Sequence, residues 1–240
     1  MLFRSPASVK TIGESAFSNA IELSSVIFAE DSQLEIIGDN AFGATQITSF
    51  TIPASVTEIS RNAFIYSSLT AITVHENNAN FSSQDGILYN KNKTTLIFTP
   101  ERLSGTITIP AGVETIGQSA FENSDITSVG IPASVKNIDY TAFANCTNLT
   151  SVTFAPNSQL TTIGVRAFQN STAITSIEIP ASVTTMTTMQ AAPGLYLTVF
   201  EGWTVDQKII VPFVNQAATE AVWDANWRAG CDAVIQYTGP

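Results

Sequence analysis

His75 is the sole histidine of this 240-residue chain. A metal centre or a Ser-His-Asp relay would therefore hang on one imidazole. It directly follows Val74, where a strand would end, and we read it as a corner residue. Cys146 and Cys231 are the two cysteines, far apart and in unlike surroundings. They form no zinc spacing with the histidine. We read them as reduced thiols, with one long-range bridge left open. Glu30, Asp31 and Glu35 lie close together, but without the ligand spacing of a calcium loop. No glycine-rich phosphate loop is present. The Asn-x-Ser/Thr sites at Asn80, Asn92, Asn145, Asn148 and Asn170 are expected by composition. The chemistry on offer is thus neither acid-base nor redox, and we expect no enzyme, no cofactor and no metal.

Hydroxyl groups are the one polar chemistry that recurs. Thr48, Ser49, Thr51, Thr70, Thr73, Thr127, Ser128, Thr150, Ser151, Thr153, Thr175 and Ser176 stand beside apolar residues in similar hexapeptides, as do Ser24 and Ser25. If these residues share one face, that face is a nearly uncharged platform able to bind protein or glycan through many weak contacts. The alternative is structural: Thr and Ser suit strands and pair across neighbours. Ice binding would want ordered Thr-x-Thr, whereas here Ser49, Ala71 and Ser151 stand two residues before Thr51, Thr73 and Thr153.

What must position the hydroxyls is a repeat. Ala-Phe recurs at Phe17, Phe42, Phe64, Phe121, Phe143 and Phe168, with spacings of 25, 22, 57, 22 and 25 residues. Pro6, Pro53, Pro110 and Pro132 each stand eleven residues before such a phenylalanine. Pro180 opens a further unit in which Ala-Phe is missing. Five or six residues after each phenylalanine comes a second pattern, such as Ile47-Thr-Ser-Phe50-Thr-Ile52 or Leu149-Thr-Ser-Val152-Thr-Phe154. Its apolar positions one, four and six are those of the L-x-x-L-x-L core of a leucine-rich repeat, and its last three residues alternate as a half-buried strand does. One coil of about 22 residues cannot bury its own apolar face, but stacked coils can. We therefore predict a leucine-rich repeat solenoid of the α/β repeat class, mostly β with short helical turns. The hydroxyls lie on the outer side of its sheet and the phenylalanines form a column on the opposite wall. Gly13, Gly38, Gly117 and Gly164, four residues before their phenylalanines, are expected at positive φ.

Pro53-Ala-Ser-Val-Thr-Glu-Ile-Ser-Arg-Asn-Ala-Phe64, followed by Leu69-Thr-Ala-Ile-Thr-Val74, resembles the BspA-type bacterial leucine-rich repeat. The likeness covers about residues 6–185. Cys146 after Ala142-Phe143, the stretch from Asn80, and more loosely Lys208-Ile-Ile-Val-Pro212 also resemble features of that family. The resemblance implies a secreted or cell-surface protein that adheres to host or neighbouring-cell surface proteins, and it brings no catalytic residues.

Along the chain we expect the repeat array over 1–185, with an irregular insert at about 75–104. Ile87–Tyr89 and Leu96–Phe98 read as a hairpin across Asn90–Lys93, packed on the coils rather than protruding as a binding feature. Residues 186–240 read as a degenerate last repeat and a C-terminal cap. Strands fall at 195–200, 209–211 and 234–237. A short helix runs from an Asn215 N-cap to about Arg228, with Gly230 after it. Trp223 and Trp227, four apart, share one of its faces and close the core.

The formal charge of −10 argues against nucleic acid as a partner. No apolar run is long enough for a transmembrane segment. Residues 1–5 align with the end of a strand and carry no signal-peptide layout, so no export signal is read in this chain. We expect either a piece of a longer array or an open coil edge covered by another chain, which includes end-to-end self-association. Two functions remain open: a binding scaffold that works through the sheet face, or a spacer or stalk region without its own ligand.

Overall fold

The computed structural model describes residues 1–239 as coils of short strands joined by turns, in two compact units, Met1–Leu103 and Ser104–Pro240. In the first unit Leu2–Ser5 pairs with Ser25–Phe28, and Ser49–Ile52 with Ala71–Val74, all parallel. In the second, Gly105–Thr108, Ile126–Ile131 and Ser151–Phe154 form one parallel sheet. Ser176–Glu178, Lys208–Val211 and Val234–Tyr237 form another. Parallel pairing follows because each strand is reached after one full turn of chain. Two-residue strands line another side of each coil, as in Thr11–Ile12, Ile36–Ile37 and Glu58–Ile59.

The predicted columns form within each unit. Phe17, Phe42 and Phe64 stack nearly parallel, with ring centroids 5.3 and 5.7 Å apart. Phe121, Phe143 and Phe168 stack at 4.8 and 5.2 Å. Strand positions one, four and six supply the aliphatic side, with Ile47, Phe50 and Ile52 or Ile126, Val129 and Ile131 buried. Each buried phenylalanine contributes about 1.5–3 kcal/mol by area. The Ala-Phe dipeptide also carries a backbone ladder. Phe17 and Phe42 donate their amides to the carbonyls of Ala41 and Ala63, each at 2.8 Å. Phe121 and Phe143 donate likewise to Ala142 and Ala167.

Three expectations need correction. The wall bearing the phenylalanines holds turns, not helices. The residue two after each Ala-Phe phenylalanine has positive φ (Asn19, Ala44, Tyr66, Asn123, Asn145, Asn170), and so do Ser15, Asn40, Ser119, Thr141 and Arg166, two before. Left-handed residues on both sides leave no run of helical dihedrals long enough for i→i−4 bonds. Second, Gly13, Gly38, Gly117 and Gly164 are absent from the positive-φ set. A Cβ on Gly164 would come within 2.6 Å of the Asp139 backbone, and one on Gly38 within 2.8 Å of Gly13 and Glu14. Glycine is needed at these two positions for close approach between coils. Third, the unit opened by Pro180 keeps its aromatic. Phe200 stacks on Phe168 at 5.7 Å, and Val199 accepts the amide of Phe168. An antiparallel hairpin, Met189–Ala192 with Leu195–Leu197, has pushed it down the chain.

The 75–104 insert is a three-stranded antiparallel meander, Phe81–Gln84, Ile87–Asn90 and Thr95–Phe98. The first of these strands is additional to the predicted hairpin. Ile87, Leu88, Tyr89 and Leu96 are buried. Near the C-terminus Asn215 caps as expected, accepting the Ala218 amide at 3.0 Å, but the helix spans only Gln216–Glu220. Asp224 ends any continuation, its carboxylate accepting the Asn226 amide and its carbonyl that of Trp227. Trp223 and Trp227 are buried and meet edge to face at 5.2 Å, and the Trp223 indole donates to the Val183 carbonyl. No helix among the described residues is long and apolar enough to cross a membrane.

Candidate binding surface

Strand alternation sends positions three and five of each long strand away from the core. In the first unit Thr48, Ser49, Thr51, Thr70 and Thr73 are exposed, and Ser49–Ile52 lies in register with Ala71–Val74. In the second unit Thr127, Thr150, Thr153, Thr175 and Ser176 are exposed, with Ser128 and Ser151 half-buried. Ser24 is exposed just before the second strand of the first pair, and the half-buried Ser25 opens that strand, paired with Leu2. The sequence-predicted hydroxyls are therefore gathered on the outer faces of two sets of strands, one in each unit.

Many of them are tied to a neighbouring coil. Thr51 and Thr73 share a hydroxyl–hydroxyl hydrogen bond of 2.9 Å. Ser128 donates to Thr106 at 2.8 Å. Thr70 donates to the Thr48 carbonyl and Thr150 to the Thr127 carbonyl. These bonds hold the rows in place and leave each hydroxyl with acceptor capacity toward solvent.

Sequence reasoning missed Thr106 and Thr108, which are exposed on the same face. Their strand reads Gly105-Thr-Ile-Thr-Ile109 and lacks the leading L-x-x, although its alternation was visible. It also missed the interruptions. Gly130 sits between Thr108 and Thr153 in register. Ile27 and Lys208 occupy outward positions, paired with Arg4 and Ser176. Each unit thus presents a hydroxyl surface, with an apolar margin at Ile27 in the first and a charged one at Lys208 in the second.

The remaining reactive side chains are spread out. His75 is exposed, and its Nδ1 accepts the Asn77 amide at 3.2 Å, fixing a corner. No group of three His, Cys, Asp or Glu able to hold a metal occurs among the described residues. Cys146 is buried and its Sγ donates to the Phe121 carbonyl at 3.0 Å. Burial pushes its thiol up to about 12, so it stays protonated and unreactive at neutral pH. Cys231 is also free, its thiol raised by burial.

Residues 2–104 and 97–190 match the model of the BspA type leucine rich repeat region, in six copies. The chain belongs to that family. Among solved structures it is similar to a leucine rich cell surface protein of Faecalibacterium prausnitzii A2-165, at 26% identity and a TM-score of 0.70. That likeness covers 100% of this chain and 60% of the other, so this chain spans less than two thirds of that relative. The pneumococcal vaccine antigen PcpA shares the fold at 20% identity and a TM-score of 0.67, over 99% of this chain and 68% of PcpA. Curated proteins give no match.

Proposed function

We propose that this BspA-type repeat chain is a non-catalytic scaffold of the bacterial cell surface that binds a partner protein through the hydroxyl face of its strands. The observation that carries the reading is the exposure, in register, of the Thr and Ser rows in both units, with little charge among them. Many weak polar contacts on a rigid, preorganised surface lose little side-chain entropy on binding. The family and the cell-surface description of the Faecalibacterium relative support the location.

The test replaces Thr48, Thr70, Thr127 and Thr150 together by Glu. Circular dichroism should match the parent and the melting temperature should fall only slightly, since these side chains are exposed and only Thr70 and Thr150 give up a hydroxyl bond to a neighbouring carbonyl. Capture of the chain by extracellular-matrix proteins or neighbouring cell surfaces should be lost. Capture that survives the fourfold change places the interface elsewhere.

One observation favours a second reading, a spacer or stalk. Thr51, Thr70, Thr73, Ser128 and Thr150 engage adjacent coils rather than pointing only to solvent. For a spacer, the parent chain captures no partner in the same assay, and removing the hydroxyl bonds lowers only stability.

A further inference from the structure

The two 25-residue coils share a feature that the 22-residue coils lack. In each, the last strand residue is phenylalanine and the corner is longer: Phe28-Ala-Glu-Asp-Ser-Gln-Leu34 and Phe154-Ala-Pro-Asn-Ser-Gln-Leu160. The corners are built alike. The Leu34 and Leu160 amides donate to the Ser32 and Ser158 hydroxyls at 3.3 and 3.2 Å. The Gln33 and Gln159 amides donate to the Ala7 and Ala133 carbonyls, each at 2.9 Å. Beside each corner lies a cleft, of about 320 Å³ in the first unit and about 490 Å³ in the second.

The walls correspond in part. Phe28 and Phe154, each half-buried at strand position six, line one side (the Phe28 ring also meeting Phe50 edge to face at 5.5 Å), with Ala29 and Ala155 at the corner and Pro53 and Pro180 opposite. Each cleft also carries one exposed carboxylate, at different places: Glu30 on the corner of the first, and Glu178 on the next coil's strand in the second. Neither carboxylate is hydrogen-bonded or ion-paired among the described residues, and no Lys or Arg lines either cleft. His75 stands on the wall of the first cleft only.

We propose that each cleft receives an arginine side chain of a basic partner segment. The guanidinium would meet the carboxylate and the ring, an electrostatic and cation–π pairing for which Arg is better suited than Lys. Its aliphatic stem packs on the Ala and Pro walls. Charge complementarity selects this occupant, because the chain carries −10 overall and each cleft holds an unpaired anion. The proposal rests on the binding-scaffold reading and adds to it the chemistry of the partner. The second cleft, larger and without an imidazole, is the stronger site.

The probe is acetyl-Gly-Arg-Gly-amide, titrated into the labelled full chain while the ring signals of Phe28 and Phe154 are followed by NMR. Both should shift saturably, Phe154 at lower peptide concentration. Glu178→Gln should weaken the Phe154 titration roughly two- to fivefold and leave Phe28 unchanged, and Glu30→Gln should do the reverse. The absence of a saturable shift, an equal response to acetyl-Gly-Glu-Gly-amide, or indifference to both substitutions overturns the proposal. So does a stronger response to maltose, which would mark a sugar subsite. The fourfold Thr→Glu chain separates the two readings. If partner capture survives in it while the peptide titrates normally, the sheet face fails alone. If capture is lost in it but the parent gives no peptide response, the clefts fail alone.

Discussion

The chain interrupts its repeat twice, and the two interruptions are built in opposite ways. The meander of Phe81–Phe98 sinks Ile87, Leu88, Tyr89 and Leu96 into the first unit. Asn78 anchors its entry, donating to the Pro53 and Val56 carbonyls and accepting the Asn80 and Phe81 amides. The hairpin of Met189–Leu197 leaves all of Met189–Ala192 exposed, along with Leu195. Yet each interruption ends by returning an aromatic ring to its unit's column. Phe98 lies 6.0 Å from Phe64, and Phe200 lies 5.7 Å from Phe168. A coil is therefore defined by what it delivers to the stack, and the path between deliveries is free to vary in length.

That comparison can be broken or sharpened by measurement. If Phe200 is a full column member, Phe200→Ala should cost about 3–5 kcal/mol in urea denaturation, the same as Phe143→Ala. A cost under about 1 kcal/mol would make Phe200 part of the hairpin rather than the core. Next in size, Leu88→Ala in the meander should cost about 2–5 kcal/mol, whereas Leu195→Ala in the hairpin should stay within about 0.5 kcal/mol. Similar losses at both sites would erase the distinction.

The meander also predicts a dependence on alkaline pH. Burial, helped by the Asp85 charge, pushes the Tyr89 phenol up to about 12. Between about pH 10 and 12 the unfolded chain releases a proton that the folded chain keeps, so stability falls as pH rises. Tyr89 accounts for roughly 2–3 kcal/mol across that window. Tyr89→Phe should flatten part of the decline in a stability-versus-pH series.

The smallest expected effect lies at the left-handed turns. The second unit places Asn123, Asn145 and Asn170 two residues after its phenylalanines, and asparagine tolerates that conformation. The first unit places Asn19, Ala44 and Tyr66 there. Tyr66→Gly should raise the unfolding free energy by about 1 kcal/mol, and Asn145→Gly should change it by less. Equal gains would mean that the side chain at this position is irrelevant.

The Ala-Phe and L-x-x-L-x-L patterns made the coils, the columns and the outward hydroxyls legible, because side-chain alternation and repeat spacing are local properties. What could not be read locally was contact between coils. Gly38 and Gly164 are small because a neighbouring backbone lies against them, which in sequence looks the same as a need for positive φ. Phe200 escaped because the hairpin separates it from Pro180 and Val199 replaces the usual alanine. The helix after Asn215 was overextended because the periodicity of Trp223 and Trp227 persists through turns that Asp224 redirects. The paired clefts were invisible as sites, although the duplicated Phe-Ala-x-x-Ser-Gln-Leu stretch stood in plain view.

The amide ladder at the Ala-Phe positions runs one way in both units, each donor reaching to the following coil. At these positions a winding thus offers the same donor to the coil after it and the same acceptor to the coil before it. A stretch of 22 codons duplicated in frame would add a complete storey whose rims fit those already there, so such a gene can grow or shrink by recombination without a new core having to be invented.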